Sequence, residues 1–157
     1  IDCDFATDLS YLIGSHELCL VQSMDILTIQ QITKYLYEIK KSVDFDVNRI
    51  RIILNKRIKL NSATDENIIK GISNYNDPRM WYMEPIFDTS RVKVNKISFN
   101  EEVYIKYLDG LIKCDVSISG YPNKTVKELE ELANAIYTHN SKNTFLDPIK
   151  FFGRSNN

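Results

Sequence analysis

Apolar residues in this chain alternate between short unbroken runs and stretches spaced at three and four. Glu17 to Gln22 (ELCLVQ) is an apolar run between polar neighbours, the pattern of a strand buried on both faces. Behind it, Ile26, Ile29, Ile32, Leu36 and Ile39 predict an amphipathic helix. Its cap is Ser23 or Asp25, and its end falls near Lys40-Lys41, where cations suit the negative helix terminus. Arg49 to Asn55 (RIRIILN) is the next strand, followed by a loop from Lys56 to Ala63. Thr64-Asp65-Glu66 is a helix-start signal, and the helix through Ile68, Ile69 and Ile72 stops before Asn76-Asp77-Pro78.

Met80 to Phe87 and Val92 to Phe99 read as two further strands, with Pro85 placing the first at an edge or at its own end. Val103, Tyr104, Tyr107, Leu108, Leu111 and Ile112 mark one more helix. Val126, Leu129, Leu132, Ala133, Ile136 and Tyr137 mark another, and Gly120-Tyr121-Pro122-Asn123 is the turn between them. Strands alternating with helices predict an α/β layer built on a mostly parallel sheet with flanking helices. The division expected is one body over residues 1–139 and a polar tail over 140–157, interrupted by Phe145-Leu146 and Ile149-Lys150-Phe151-Phe152.

Composition narrows the function. With 157 residues, 43% hydrophobic and 26% charged, the chain has the size and make-up of one folded domain. Its 20 basic and 21 acidic residues nearly cancel, so no global field draws it to nucleic acid or anionic lipid. The glycines stand too far apart to build a phosphate-cradling loop. Three scattered cysteines (Cys3, Cys19, Cys114) read as reduced cytosolic thiols, and His16 and His139 cannot form a metal site alone. No apolar run approaches the roughly 20 residues of a membrane span. An opening of Ile1-Asp2 without Met or leader segment reads as an excerpt of a longer polypeptide.

No nucleophile elbow, Cys-His pair or metal-spaced His/Cys cluster is present, so no catalytic residue is assigned. Asp2 and Asp4 follow what reads as the last residue of a strand, where α/β folds place ligands, and such carboxylates suit Mg²⁺; the alternative is a solvated strand end. Asn55 and Lys56 follow the Ile50 to Leu54 run at the same kind of edge. The Asn amide can pair with a purine edge and Lys56 supplies charge, against the simpler reading of a loop-entry Asn beside a solvated Lys. Arg49, Arg51, Lys56, Arg57 and Lys59 form a local basic cluster that reads as a solvated face.

The order Ile1-Asp2, ELCLVQSMDILTIQ, RIRIILNK, KISFNEEVY and KYLDGL resembles the second half of the ParA/MinD superfamily of deviant-Walker P-loop ATPases, nearest the TadZ/CpaE-like branch. The resemblance covers residues 1 to 137 and implies a partial SIMIBI-type P-loop NTPase fold lacking its N-terminal phosphate-loop part. It implies that Asp2 holds Mg²⁺ through water, that Asn55 with Lys56 recognises adenine, and that Ser98 and Phe99 lie in the loop beside the base. Val21 to Asp25 matches the family's strand-to-helix segment and Gly110 a glycine of a later helix. The family's loop proline and acid are replaced by Ser98 and Asn100, and two strands stand where simple members have one.

The resemblance further implies an ATPase or pseudo-ATPase that positions a membrane-associated secretion, pilus or conjugation machine, in the cytoplasm or at the inner face of the membrane through partners. ATP and Mg²⁺ belong to the whole protein, with neither held tightly by this chain and no hydrolysis by it alone. Its partners are expected to be a protein or a second copy, with no specific nucleic acid and weak or no direct membrane binding. The alternatives are a protein-interaction module keeping the fold without nucleotide, and a degenerate receiver domain suggested by Asp2, Asp4 and Lys56. Asn55 stands where a receiver's phosphorylated Asp would be expected.

Overall fold

The computed structural model describes residues 7–8, 10–42, 46–74, 84–115 and 117–140. The chain divides into two compact units, residues 1–100 and 101–157. The first unit contains α1 (Ser10–Ile13), β1 (Leu18–Gln22), α2 (Ile26–Ser42), β2 (Ile50–Arg57), α3 (Asp65–Ser73) and β3 (Lys93–Ser98). The second contains α4 (Glu101–Lys113) and α5 (Asn123–Asn140).

Strands β1, β2 and β3 form a small open sheet in that order, and both pairings are parallel. Leu18 stands opposite Ile50 and Gln22 opposite Leu54; Arg51 stands opposite Lys93 and Leu54 opposite Lys96. Parallel neighbours need a crossover long enough to return the chain, and α2 and α3 are those crossovers. Side chains alternate along a strand, so Leu18, Leu20, Ile50, Ile52, Leu54 and Val94 share one face. That face joins Ile29, Ile32, Leu36 and Ile39 of α2 and Ile68 and Ile72 of α3 in one core cluster, to which Leu12, Ile86 and Phe87 also belong. Ile50, Ile52 and Leu54 are at most 1% exposed, so the central strand is the driest of the three among the described residues.

Local chemistry sets the helix limits. The Asp25 carboxylate accepts the Leu27 N–H at 3.0 Å at the start of α2, and Lys40-Lys41 occupy its last turn. Thr64 caps α3 by accepting the Asn67 N–H at 3.2 Å, with Asp65 and Glu66 in the first turn. At Gly71, α3 passes close to α2, with Ile29 Cγ2 within 3.2 Å of where a Cβ would stand; Thr33 Oγ1 donates to the Gly71 carbonyl at 3.0 Å.

One expected strand is corrected. Glu84 to Phe87 is not a strand, and residues 80–83 lie outside the described residues. Pro85 has no N–H to give a ladder, and the segment is instead fastened to the end of α3: Ile86 N–H donates to the Ser73 carbonyl at 2.7 Å, and Ser73 Oγ donates to the Phe87 carbonyl at 2.7 Å. Strand β2 runs to Arg57, past the expected end at Asn55. The tail beyond Asn140 lies outside the described residues.

Candidate functional site

Four of the five expected site residues converge. Asn55 and Lys56 lie near the carboxyl end of β2, where its pairing with β3 slips between Leu54 and Arg57. The slip is a bulge: Lys56 has φ 52, a left-handed conformation unusual for a side-chain-bearing residue. Asn55 Oδ1 accepts the Lys56 N–H at 2.9 Å, holding that bend from the inside. Pairing resumes with Arg57 opposite Ser98, and Phe99 N–H donates to the Arg57 carbonyl at 2.9 Å. Asn55, Lys56, Ser98 and Phe99 therefore meet at the carboxyl ends of two adjacent parallel strands. Phe99 is 43% exposed. Asp2, with its neighbour Asp4, lies outside the described residues.

The same edge carries groups that sequence reasoning missed. Asp65, the first residue of α3, bonds Arg57 Nε at 2.5 Å and Lys96 Nζ at 2.8 Å. The Arg57 guanidinium holds the Asp65 carboxyl below its ordinary range; partial burial opposes this and Lys96 adds to it. Gln22, wholly buried at the end of β1, donates through Nε2 to the carbonyls of Ser23 and Asp25 at 2.5 and 3.3 Å. Its Oε1 is buried with no hydrogen-bond donor among the described residues. A polar residue ending an apolar run is the signal that could have singled out Gln22.

At the opposite end of the strands lies a buried charge cluster. Glu17, one residue before β1, takes Arg51 Nε at 2.9 Å through Oε2, and Lys93 Nζ at 2.9 Å and Arg51 Nη2 at 3.1 Å through Oε1. Arg51 Nη1 donates to Asn95 Oδ1 at 2.6 Å. The Arg51 and Glu17 side chains are 6% and 7% exposed, which corrects the reading of Arg51 as part of a solvated basic face. Burial pushes the Glu17 carboxyl up, but the hydrogen bonds and charges of Arg51 and Lys93 outweigh it and hold it below its ordinary value. Cys19, on the exposed side of β1, is moved the other way, its thiol raised by partial desolvation and by the Glu17 charge.

These two clusters do different work. The Glu17 cluster is saturated with partners and ties the starts of three strands. The carboxyl edge brings an amide, cations and an aromatic ring around a backbone bulge. Among the described residues no group of three or more His, Cys, Asp or Glu side chains stands together to hold a metal ion, and no helix is long and apolar enough to cross a membrane. No protein-family profile, curated protein or solved structure matches this chain.

Proposed function

We propose that this chain supplies the base-side wall of a nucleotide site in a ParA/MinD-like, TadZ/CpaE-like ATPase or pseudo-ATPase, a protein that positions a membrane-associated machine. The observation that supports this reading is the meeting of Asn55-Lys56 and Ser98-Phe99 at the carboxyl ends of neighbouring parallel strands. With Asn55 Oδ1 engaged by Lys56 N–H, the Nδ2 amide is the group offered to a ligand, which suits a ring nitrogen acceptor such as adenine presents. Phe99 gives an apolar surface for a base, and Lys56 a charge. The phosphates and Mg²⁺ are held by groups other than these four, with Asp2 the candidate metal carboxylate, so no hydrolytic step is assigned to this chain.

The test is a titration of isotope-labelled chain with adenosine, followed by NMR. Binding in the millimolar range, about 4 kcal/mol, is expected, with shifts confined to residues 55–57 and 96–99. Asn55→Leu should weaken it by about 1 kcal/mol, and a base-free sugar phosphate should leave those residues unmoved. Shifts elsewhere, no response, or equal binding by Asn55→Leu would remove the reading.

A further inference from the structure

We infer that Asp65 is a positioning residue for the carboxyl edge: it clasps the bulge from both flanks and so sets the meeting of Asn55-Lys56 with Ser98-Phe99. Leu54 stands opposite Lys96 and Arg57 opposite Ser98, so between these pairs β2 has two residues, Asn55 and Lys56, and β3 has one, Ile97. Lys96 is the last paired residue of β3 before the slip, and Arg57 is the first of β2 after it. Arg57 Nε donates to Oδ1 of Asp65 at 2.5 Å and Lys96 Nζ to Oδ2 at 2.8 Å. With one oxygen on each flank, the carboxylate acts on a ligand through the bulge. Every residue of the clasp belongs to the compact unit 1–100.

The bulge needs such a hold. Lys56 has φ 52, where its Cβ crowds the following carbonyl oxygen, and the ladder is interrupted beside it. The Asn55 brace on Lys56 N–H is local, and the bond from Phe99 N–H to the Arg57 carbonyl forms only once Arg57 is in place. Exposed ion pairs contribute little, but the Asp65 and Arg57 side chains are only 15% and 22% exposed and the carboxylate is shared by two cations, so solvent screens them less. Asp65 is itself fixed, as the first residue of a helix that Thr64 caps and that Ile68 and Ile72 tie to the core. Restraint therefore passes from the core through α3 to both flanks of the slip. Without it the left-handed population falls, and an edge that binds only with the bulge formed loses affinity in proportion.

The consequence for a ligand rests on the nucleotide reading, whereas the clasp itself is measured without ligand, by NMR of the full chain. Lys56 should show the strong HN–Hα cross-peak of a left-handed residue, and the Phe99 amide should be protected from exchange. In Asp65→Ala the cross-peak should weaken, Phe99 exchange should quicken about tenfold, and the adenosine response at residues 55–57 and 96–99 should fall about fivefold. Adding Lys56→Gly should bring Phe99 protection and the adenosine response back to within about twofold, because glycine takes the left-handed conformation without strain. A merely stabilising ion pair is not rescued in this way. Glu66→Gln, the same change of charge one residue on, should leave both signals as they are. If Asp65→Ala does not fold, Lys96→Gln opens one flank only and should give a smaller change of the same kind. Unchanged Lys56 and Phe99 signals, losses that Lys56→Gly does not restore, or a wild-type adenosine response after the bulge signals are gone would overturn the inference. Loss of the bulge signals with no adenosine response in any variant would keep the clasp and remove the nucleotide reading.

Discussion

Helix α2 buries Ile29, Ile32, Leu36 and Ile39 to between 1% and 7% exposure, whereas α4, with a stripe of the same spacing, leaves every apolar side chain from Tyr104 to Ile112 at least 38% exposed. Periodicity predicts both helices equally well, because it reports only that one side of a helix is apolar. What separates them is that the stripe of α2 joins the core cluster of the sheet. The start of α2 is held by Asp25, its middle by the Thr33 bond to Gly71, and its end by Lys40 Nζ reaching the Ile86 carbonyl at 3.4 Å. Helix α4 has internal ion pairs, a well-made end and a bond from Lys106 Nζ to the Gly120 carbonyl.

The largest expected effect tests that contrast directly. Leu36→Ala should cost about 3 kcal/mol, the transfer energy of the lost methyls plus a cavity in a rigid core. Leu111→Ala, at 50% exposure, should change stability by no more than about 0.5 kcal/mol in dilute solution. Urea denaturation followed by circular dichroism measures both. Similar losses for the two variants would mean that α4 is covered as α2 is, and the comparison would fail.

A comparable effect lies at the strand starts. Glu17→Gln removes the anion that Arg51 and Lys93 share around a buried guanidinium, at an expected cost of about 3 kcal/mol at neutral pH. Because the Glu17 carboxyl is held below its ordinary value in the folded chain, its contribution is complete above its unfolded pKa and is lost as pH falls through the folded one. The wild type should therefore lose stability below about pH 5, and the variant should be flatter over the same range. An unchanged acid limb would show that other carboxylates carry it.

The sequence made the α/β order legible where a single local signal decides: the run from Leu18 to Gln22, the period from Ile26 to Ile39, the cap at Thr64. It failed where two distant segments decide together. Ile86 and Phe87 read as strand because they are apolar, yet Ser73 captures their backbone. Arg51 read as solvated because Glu17, 34 positions earlier, and Lys93 are invisible to a local window. At the candidate site, Asn55 and Lys56 were legible from their place after the Ile50 to Leu54 run and Ser98 and Phe99 through the resemblance, and their meeting depends on a register slip that no local pattern encodes. The Asp65 bridge to Arg57 and Lys96 was missed for the same reason.

Caps sharpen the comparison at smaller energies. Thr64→Ala strips the N-cap of α3, a helix fixed to the core through Ile68 and Ile72, and should cost about 1 kcal/mol. A loss near zero would mean that core packing alone holds the start of the helix.

The smallest effect is expected at the end of α4. Asp115 N–H donates to the Gly110 carbonyl at 2.9 Å and Cys114 N–H to the Leu111 carbonyl at 3.3 Å, the paired bonds of a Schellman end. Such an end requires a left-handed residue, and Cys114 occupies it with φ 54 where glycine would be unstrained. Gly110 is equally constrained, since a Cβ there would collide with the Asp115 carbonyl. Cys114→Gly relieves the side-chain clash of the left-handed conformation but adds freedom to the unfolded chain, so the net expectation is a gain of about 0.5 kcal/mol. Amide exchange in the last turn of α4 reads it: slower exchange there, with α2 unchanged, fits an end defined by its own backbone. Slower exchange in both helices, or faster exchange in α4, would show that Cys114 does more than close the helix.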